Sequence, residues 1–212
     1  MLVIMMSGNP ATGKTTLARN MYAHMERAWM SQIMTSLEIR KSLNLFHLDC
    51  EEERNEIYKI LAQNVRSLAQ QKRNDLLIVD ANFNKRERRE LLYRAVRNCI
   101  VYVIECLVAD ERIIKERLEF RKCNQDISEN KAYTWDLYKH IEKTSNPVEL
   151  DEQITSGEIG LIRFDSGKNE ARVIRPIRIR KEQRIVSELL LFLKDRKNFE
   201  MSQDVMEGVS RS

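Results

Sequence analysis

The sequence of 212 residues predicts an α/β protein, in which a mostly parallel sheet is covered by helices on both faces. Short apolar runs alternate with longer stretches whose apolar residues recur at helical spacing. The first apolar run leads directly into a glycine-containing loop and then into a helix. Hydrophobic residues make up 42% and charged residues 32% of the chain, a composition that supports a buried core. We expect one domain over residues 1–198, followed by a flexible tail at 199–212 where periodicity is lost.

The strand predictions rest on apolar runs that are short and nearly uninterrupted. Such runs occupy Leu2–Met6, Leu76–Val79, Ile100–Val108 and Gly160–Phe164. A weaker strand is predicted between Ala28 and Thr35. Uninterrupted apolar runs are typical of parallel strands, because these strands are buried on both faces of the sheet.

The helix predictions rest on apolar stripes. The helix after the first loop aligns Leu17, Met21 and Met25, and such a stripe indicates a face packed on the core. A later long helix aligns Ile57, Leu61, Val65 and Leu68. Further helices are expected at about 38–43, 85–96, 110–122 and 133–143. A terminal hairpin strand at 171–179 and a docking helix at 181–194 complete the predicted fold.

The loop after the first strand has a phosphate-binding pattern. Residues 8–15 read GNPATGKT and match GxxxxGK(S/T) at every position. The glycines let backbone amides turn toward a phosphate, and the following helix adds its positive dipole end. We expect Lys14 to contact the β and γ phosphates and the Thr15 hydroxyl to join the shell of Mg²⁺. Thr16 either contacts the α phosphate or packs the first helical turn. The predicted nucleotide-binding set is Gly8, Asn9, Pro10, Ala11, Thr12, Gly13, Lys14, Thr15 and Thr16.

A second motif supplies a carboxylate. The apolar run Leu76–Val79 is followed by Asp80, and a carboxylate at the end of a neighbouring strand is what a magnesium ion beside bound phosphates requires. We therefore assign Asp80, with Thr15, to the magnesium shell. The alternative is that Asp80 caps the helix or turn that follows. No Asn-Lys-x-Asp signature for guanine occurs, which favours ATP as the nucleotide.

Three further segments extend these motifs. Residues 36–40 read SLEIR, residues 78–83 read IVDANF followed by Arg86 and Arg89, and residues 117–121 read RLEFR. With the glycine loop, this ordered set resembles the predicted-kinase group of P-loop proteins, which includes phage-type polynucleotide kinases, zeta toxins and gluconate kinase. The resemblance covers about residues 1–165. It implies a P-loop kinase-like fold and ATP-dependent transfer of the γ-phosphoryl group to a hydroxyl acceptor.

The resemblance also implies roles for individual side chains. Arg117 and Arg121 correspond to arginines on a lid, here about residues 110–146, that neutralise charge on the transferring phosphoryl group. The alternative for both is a solvated helix face with local ion pairs. The residues expected to bind the acceptor are Arg40, Asn82, Arg86 and Arg89. Asn82 stands where threonine is common in the group, and Arg40 has a surface ion pair as its alternative.

The sequence departs from the group at Leu37. The group pattern there is Ser-Asp-x-x-Arg, in which the aspartate acts as general base or orients the acceptor hydroxyl, and leucine can do neither. Three hypotheses follow: Glu38 is the base, Asp80 is the base while it also organises magnesium, or the protein is a nucleotide-binding switch with weak or no transfer activity. The favoured catalytic set is Lys14, Glu38, Asp80, Arg117 and Arg121.

The acceptor and the location are broader predictions. Residues 84–97 hold a cluster of Lys85 and five arginines, so a polynucleotide 5′-hydroxyl and a small hydroxylated metabolite are equal candidates. The formal charge of +4 does not separate them. Four cysteines without CxxC or zinc-finger spacing indicate neither a disulfide framework nor a zinc site. No apolar run approaches the roughly 20 residues that cross a bilayer. We expect a cytoplasmic protein with no membrane partner.

Overall fold

A computed structural model describes residues 1–44, 51–123, 134–154, 157–177 and 183–195. The strands are β1 (Leu2–Ser7), β2 (Ser31–Thr35), β3 (Leu76–Asp80), β4 (Ile100–Leu107), β5 (Gln153–Ile154), β6 (Gly157–Glu158), β7 (Gly160–Asp165) and β8 (Glu170–Arg175). The helices are α1 (Lys14–Met25), α2 (Ser36–Ser42), α3 (Glu51–Gln71), α4 (Arg86–Ala95), α5 (Glu111–Cys123), α6 (Trp135–Lys143) and α7 (Gln183–Lys194).

The main sheet has six strands in the order β2-β3-β1-β4-β7-β8. The first five are parallel to one another, and β8 pairs antiparallel with β7 through a tight turn. In the register of the parallel strands, Asp80 lies opposite Met6 of β1 and Thr35 of β2. The carboxyl ends of β1, β2 and β3 therefore meet at one edge, which is where ligands bind in open α/β sheets.

Two apolar layers cover the sheet. On one face, Val3 and Met5 of β1 pack in a core with Ile57 and Leu61 of α3 and with Leu92 of α4. On the other face, alternate residues of β1 pack with α1 and α7; this second core includes Leu2, Ile4, Met6, Leu17, Met21 and Leu189. Because successive side chains of a strand point to opposite faces, each central strand must be apolar at every position.

The predicted fold class is confirmed. Leu17, Met21 and Met25 are buried in α1, as the stripe predicted, and α3 buries Ile57, Leu61 and Val65 while Leu68 is partly buried. The predicted hairpin is β7 with β8, and the docking helix is α7. The two-residue strands β5 and β6 were not predicted, since such short pairs carry no periodic signal. The expected tail at 199–212 lies outside the described residues.

None of the helices in the described ranges is long and apolar enough to cross a membrane.

Candidate active site

The loop between β1 and α1 has three residues with positive φ, two of which are glycines. Gly8 has φ of 126° and Gly13 has φ of 83°, both in the range where a side chain strains the backbone. A Cβ on Gly8 would also lie 2.3 Å from the carbonyl oxygen of Cys106 on β4. Ala11, which is not glycine, has φ of 61°. The loop is thus held in a tight turn against the end of β4.

Two side chains of the loop donate hydrogen bonds to the loop's own backbone. Lys14 Nζ donates to the carbonyl oxygen of Asn9 at 2.6 Å, and Thr12 Oγ1 donates to the same oxygen at 2.8 Å. Thr15 and Thr16 are exposed in the first turn of α1, and Gly13 at the N-cap gives that turn no side-chain hydrogen bond. The positive end of the α1 dipole is therefore presented next to the lysine, an arrangement suited to an anion.

The environment of Lys14 weakens its hold on a proton. Burial lowers the pKa of Lys14 from its ordinary value of 10.5 to about 8, although the charges of Cys106 and Asp80 raise it. The nearby positive charge of Arg121 lowers this pKa further. An ammonium group that is partly desolvated in this way gains strongly from a bound phosphate.

Asp80 occupies the end of β3 that the sequence indicated. Its residue is only 6% exposed, and it lies opposite the last residues of β1, directly before the phosphate-binding loop. The Asp80 carboxylate and the exposed Thr15 hydroxyl are hard oxygen donors of the kind that Mg²⁺ prefers. The residue types therefore fit a magnesium ion.

One cavity, of about 680 Å³, lies beside the first turns of α1. Thr16 and Asn20 of α1, Arg117 and Arg121 of α5, and Ser166 of the β7–β8 turn are among its lining residues. We call it the nucleotide-side cavity. It brings the two predicted lid arginines together with the phosphate-binding loop.

Arg117 is tied directly to that loop. Its Nη1 donates to the carbonyl oxygen of Ala11 at 3.0 Å and to Ser166 Oγ at 2.7 Å, and Nη2 donates to the Ser166 carbonyl oxygen at 3.2 Å. Burial, followed by the charge of Arg121, lowers the pKa of Arg117. The structure therefore gives Arg117 a positioning contact with the loop in addition to its place in the cavity.

A second cavity, of about 300 Å³, is lined by none of the residues of the phosphate-binding loop. Its lining combines residues of α2, the start of α3, the segment between β3 and α4, and α6, and we call it the acceptor-side cavity. Arg40 and Asn82, two of the predicted acceptor residues, line it. Lys85 and Arg88, which belong to the basic cluster noted at residues 84–97, also line it. Lining residues without a predicted role include Glu51, Arg54, Tyr58, Asn84 and His140.

Arg89, which was predicted to bind the acceptor, is instead part of the core. Its side chain is 0% exposed and forms an ion pair with Glu152, with Arg89 Nη2 2.5 Å from Glu152 Oε1. It also donates to the carbonyl oxygens of Phe83, Asn146 and Pro147. Every part of the guanidinium is thus engaged within the protein, so Arg89 holds α4 to the segment around residues 146–152.

Arg86 likewise lies outside the lining of the acceptor-side cavity. Its Nε donates to Glu90 at 3.3 Å and its Nη2 donates to Asp151 at 3.1 Å. The acceptor-binding role of Arg86 therefore stays a prediction, whereas Arg89, whose guanidinium is fully engaged within the protein, is corrected to a core residue. Arg88 lies between them in the sequence and reaches the cavity, because a helix turns successive side chains about 100° apart.

Glu38 takes part in a helix cap. Its Oε2 accepts from the backbone N–H of Thr35 at 3.0 Å, while Thr35 Oγ1 accepts from the N–H of Glu38 at 3.1 Å. This reciprocal pair is a capping box, and the Thr-x-x-Glu spacing that announces it is readable in the sequence. Neither Glu38 nor Leu37 lines the acceptor-side cavity in the described part of the chain, whereas Ser36 and Arg40 do.

Glu51 and Ser145 had no sequence signal of function. Glu51 Oε1 accepts from Lys85 at 2.9 Å and from Arg88 at 2.8 Å. Burial would raise the pKa of Glu51, but the hydrogen bonds and charges of Lys85 and Arg88 outweigh it and hold the pKa below its ordinary value. Ser145 Oγ lies 2.7 Å from Asn9 Oδ1 of the loop.

The comparisons with known proteins agree with the fold. A family described as an AAA domain matches residues 3–140. The chain belongs to the AAA domain family. No curated protein matches the chain.

Solved structures share the whole fold at low identity. A putative kinase from Chloroflexus aurantiacus is 15% identical, with 94% of this chain and 98% of that chain covered and a TM-score of 0.58. Kti12 from Chaetomium thermophilum, solved with ADP-AlF3, is 16% identical over 90% of this chain and 98% of its own, with a TM-score of 0.57. A sugar kinase from Janibacter sp. is 15% identical over 92% and 95%, with a TM-score of 0.55. The AAA domain has the P-loop kinase-like fold that the resemblance predicted, and the match supports nucleotide binding in general.

Proposed function

We propose that this AAA domain is a magnesium-dependent phosphotransferase that moves the γ-phosphoryl group of ATP to a hydroxyl group in the acceptor-side cavity. The observation that carries the proposal is the hydrogen-bond connection between the phosphate-binding loop and the acceptor-side cavity. Ala11 and Gly13 of the loop line the nucleotide-side cavity. Asn9 of the same loop is connected through Ser145 to Asn84, which lines the acceptor-side cavity.

Different residues are proposed to bind the phosphates, to hold the metal and to stabilise the transition state. The loop amides, the start of α1 and Lys14 would bind the phosphates, and Thr15 with Asp80 would hold the metal. When bound, Mg²⁺ neutralises charge on the β and γ phosphates. Arg117 and Arg121, on the proposed lid, stabilise charge on the equatorial oxygens of the transferring group. Phosphoryl transfer depends mostly on such positioning, because its transition state is loose.

Asp80 is the carboxylate that we propose to orient the acceptor hydroxyl. Neither Asp80 nor Glu38 lines the acceptor-side cavity in the described ranges, but Asp80 directly precedes the segment whose Asn82 and Asn84 do, whereas the Glu38 carboxylate is engaged in the capping box. The kinases among the structural neighbours support the reaction class, and the requirement for ATP and magnesium agrees with the cytoplasmic location expected from the sequence.

The test has two parts. Calorimetric titration with ATP and Mg²⁺ should show binding by the wild-type protein and a loss of about tenfold or more for Lys14→Ala, since a charge-assisted contact to phosphate is lost. Incubation with γ-labelled ATP and a panel of hydroxyl compounds should then transfer label to an acceptor. Tight ATP binding without transfer to any member of the panel would instead support a nucleotide-binding switch.

A further inference from the structure

The acceptor-side cavity has an excess of positive charge. Its described lining includes Arg40, Arg54, Lys85 and Arg88, but Glu51 is the one carboxylate among those lining residues. A partly enclosed cavity strengthens the field of such a group of cations, because less water screens it. A ligand that brings an anionic group is therefore favoured over a neutral one.

The same cavity contains polar atoms that lack partners. Asn82 Oδ1, Asn84 Oδ1 and Arg88 Nε are buried and have no hydrogen-bond partner among the described residues. Asn84 and Arg88 are only 5% and 6% exposed, and all three residues line the cavity. Buried polar groups are almost always satisfied, so atoms without a partner that are grouped in this way favour a polar ligand over an apolar one. The two amide oxygens require hydrogen-bond donors, and the arginine N–H requires an acceptor.

The surroundings disfavour a long polynucleotide. Along α4, Arg86 is paired with Asp151 and Glu90, and Arg94 lies 3.5 Å from Glu90. Arg89 is buried with its own carboxylate partner. The backbone phosphates of a strand lying on this helix would have to displace these carboxylates. The volume of the cavity, about 300 Å³, is also at the small end of ligand pockets.

We infer that the acceptor is a small polyhydroxylated molecule that carries one oxyanion, either a carboxylate or a phosphate. Its hydroxyl groups donate to the amide oxygens of Asn82 and Asn84, and its oxyanion accepts from Arg88. This inference rests on the proposed function, since it names the substrate class of the same cavity. Arg88 Nη2 already donates to Glu51 at 2.8 Å, so Nε is the donor of this guanidinium that we assign to the oxyanion.

The experiment is a titration of the full chain, without nucleotide, by four probes. Glucose 6-phosphate and gluconate are polyols with a phosphate and a carboxylate, sorbitol is a neutral polyol of similar size, and a short 5′-hydroxyl oligodeoxynucleotide represents the polynucleotide. At least one anionic polyol should bind about tenfold or more tightly than sorbitol and the oligonucleotide. Comparison of the two anionic probes then distinguishes phosphate from carboxylate.

Variants connect the binding to the cavity. Arg88→Gln should weaken binding of the preferred probe by about tenfold. Arg54→Gln should weaken it to a similar extent, and because the Arg54 side chain is partly exposed, this change is less able to disturb folding. Arg94→Gln, on the same helix as Arg88 but 67% exposed and outside the cavity lining, is the matched control and should bind like the wild type.

Three results would overturn the inference. Sorbitol could bind as tightly as the anionic polyols, or no probe could bind at millimolar concentration. The third is that the oligonucleotide binds most tightly and that Arg94→Gln weakens its binding. ATP titration of the same sample separates this failure from that of the proposed function. Normal ATP binding with Lys14-dependent affinity would leave the phosphotransferase proposal standing.

Discussion

Ser145 Oγ lies 2.7 Å from Asn9 Oδ1, and this contact joins the segment after α6 to the phosphate-binding loop. The same oxygen accepts from Asn84 Nδ2 at 2.9 Å, and the backbone N–H of Asn146 donates to the Asn84 carbonyl oxygen at 2.7 Å. A chain of hydrogen bonds therefore runs from the loop to the lining of the acceptor-side cavity. A change in the loop on nucleotide binding has a direct route to that cavity.

Ser145→Ala should weaken ATP binding by about two- to tenfold, since the partly buried hydrogen bond to Asn9 is worth about 1 kcal/mol. Calorimetry measures the effect. Ser42→Ala, which removes a hydroxyl bonded to the Ile39 carbonyl oxygen at the end of α2, is the control and should leave ATP affinity unchanged. Equal affinities for wild type and Ser145→Ala would show that the contact does not support the loop.

ATP affinity should depend on the ionisation of Lys14. With its pKa lowered to about 8, Lys14 is cationic in the free protein below that pH and increasingly neutral above it. Bound phosphates favour the cation, so binding takes up a proton at higher pH and affinity falls as pH rises through about 8. The fall should approach about tenfold per pH unit. Titrations in buffers of different ionisation enthalpy would detect the proton uptake, and Lys14→Met should abolish both effects.

The alanine variants of Arg117 and Arg121 should differ in their effects on ATP affinity and on the transfer rate. Arg117→Ala removes the hydrogen bonds to Ala11 and Ser166, so it should lower both ATP affinity and the transfer rate. Arg121→Ala should lower the rate, by about 100-fold, more than affinity. It should also shift the pH midpoint of ATP binding upward, because a positive charge near Lys14 is removed. Single-turnover kinetics and calorimetry provide the two readouts.

Arg112→Ala is the control for both arginines, since this residue of α5 is 85% exposed and paired with Asp110. It should leave rate and affinity unchanged. If Arg117→Ala retained full ATP affinity, the contact of Arg117 with the loop would make no contribution to nucleotide binding.

Glu38→Gln should leave transfer within about twofold of the wild type, because glutamine also serves in a capping box and the change removes only the charge. Thr35→Ala should cost about 1 kcal/mol of unfolding free energy through loss of the cap. Asp80→Asn should reduce transfer by about 100-fold or more if Asp80 orients the acceptor hydroxyl. A large loss in Glu38→Gln with little loss in Asp80→Asn would assign the base to Glu38 instead.

Arg89→Met should destabilise the fold by about 3–5 kcal/mol, because it leaves the Glu152 carboxylate buried without its partner. Urea denaturation measures the change. Replacement of Glu152 by leucine in the same chain should recover part of the loss, since an uncompensated charge is then removed. Arg94→Gln on the exposed side of α4 should change stability by less than about 0.5 kcal/mol. A mild effect of Arg89→Met together with lost acceptor binding would restore the role predicted from the sequence.

Local pattern by itself determined the fold class and the position of the phosphate-binding loop. Residues 8–15 are contiguous, and the backbone geometry they require depends on Gly8 and Gly13, so the motif could be read without knowing its neighbours. Asp80 could be placed as well, because a parallel strand that ends in a carboxylate puts it at the ligand-binding edge of the sheet. The apolar stripes of α1 and α3 are equally local, since they follow from the helical repeat.

Only the tertiary structure decided the surroundings of the acceptor. Arg86, Arg88 and Arg89 lie within four positions and are alike in chemistry. Arg86 is nevertheless paired at the surface, Arg88 lines the cavity, and Arg89 is buried in an ion pair with Glu152. The environment of each arginine depends on a carboxylate 37 to 65 positions away along the chain, and helical spacing does not predict such distant contacts. Ser145 meets Asn9 across 136 positions for the same reason. Contacts between distant segments arise when helices pack on the sheet, and that packing determines which polar side chains face a ligand.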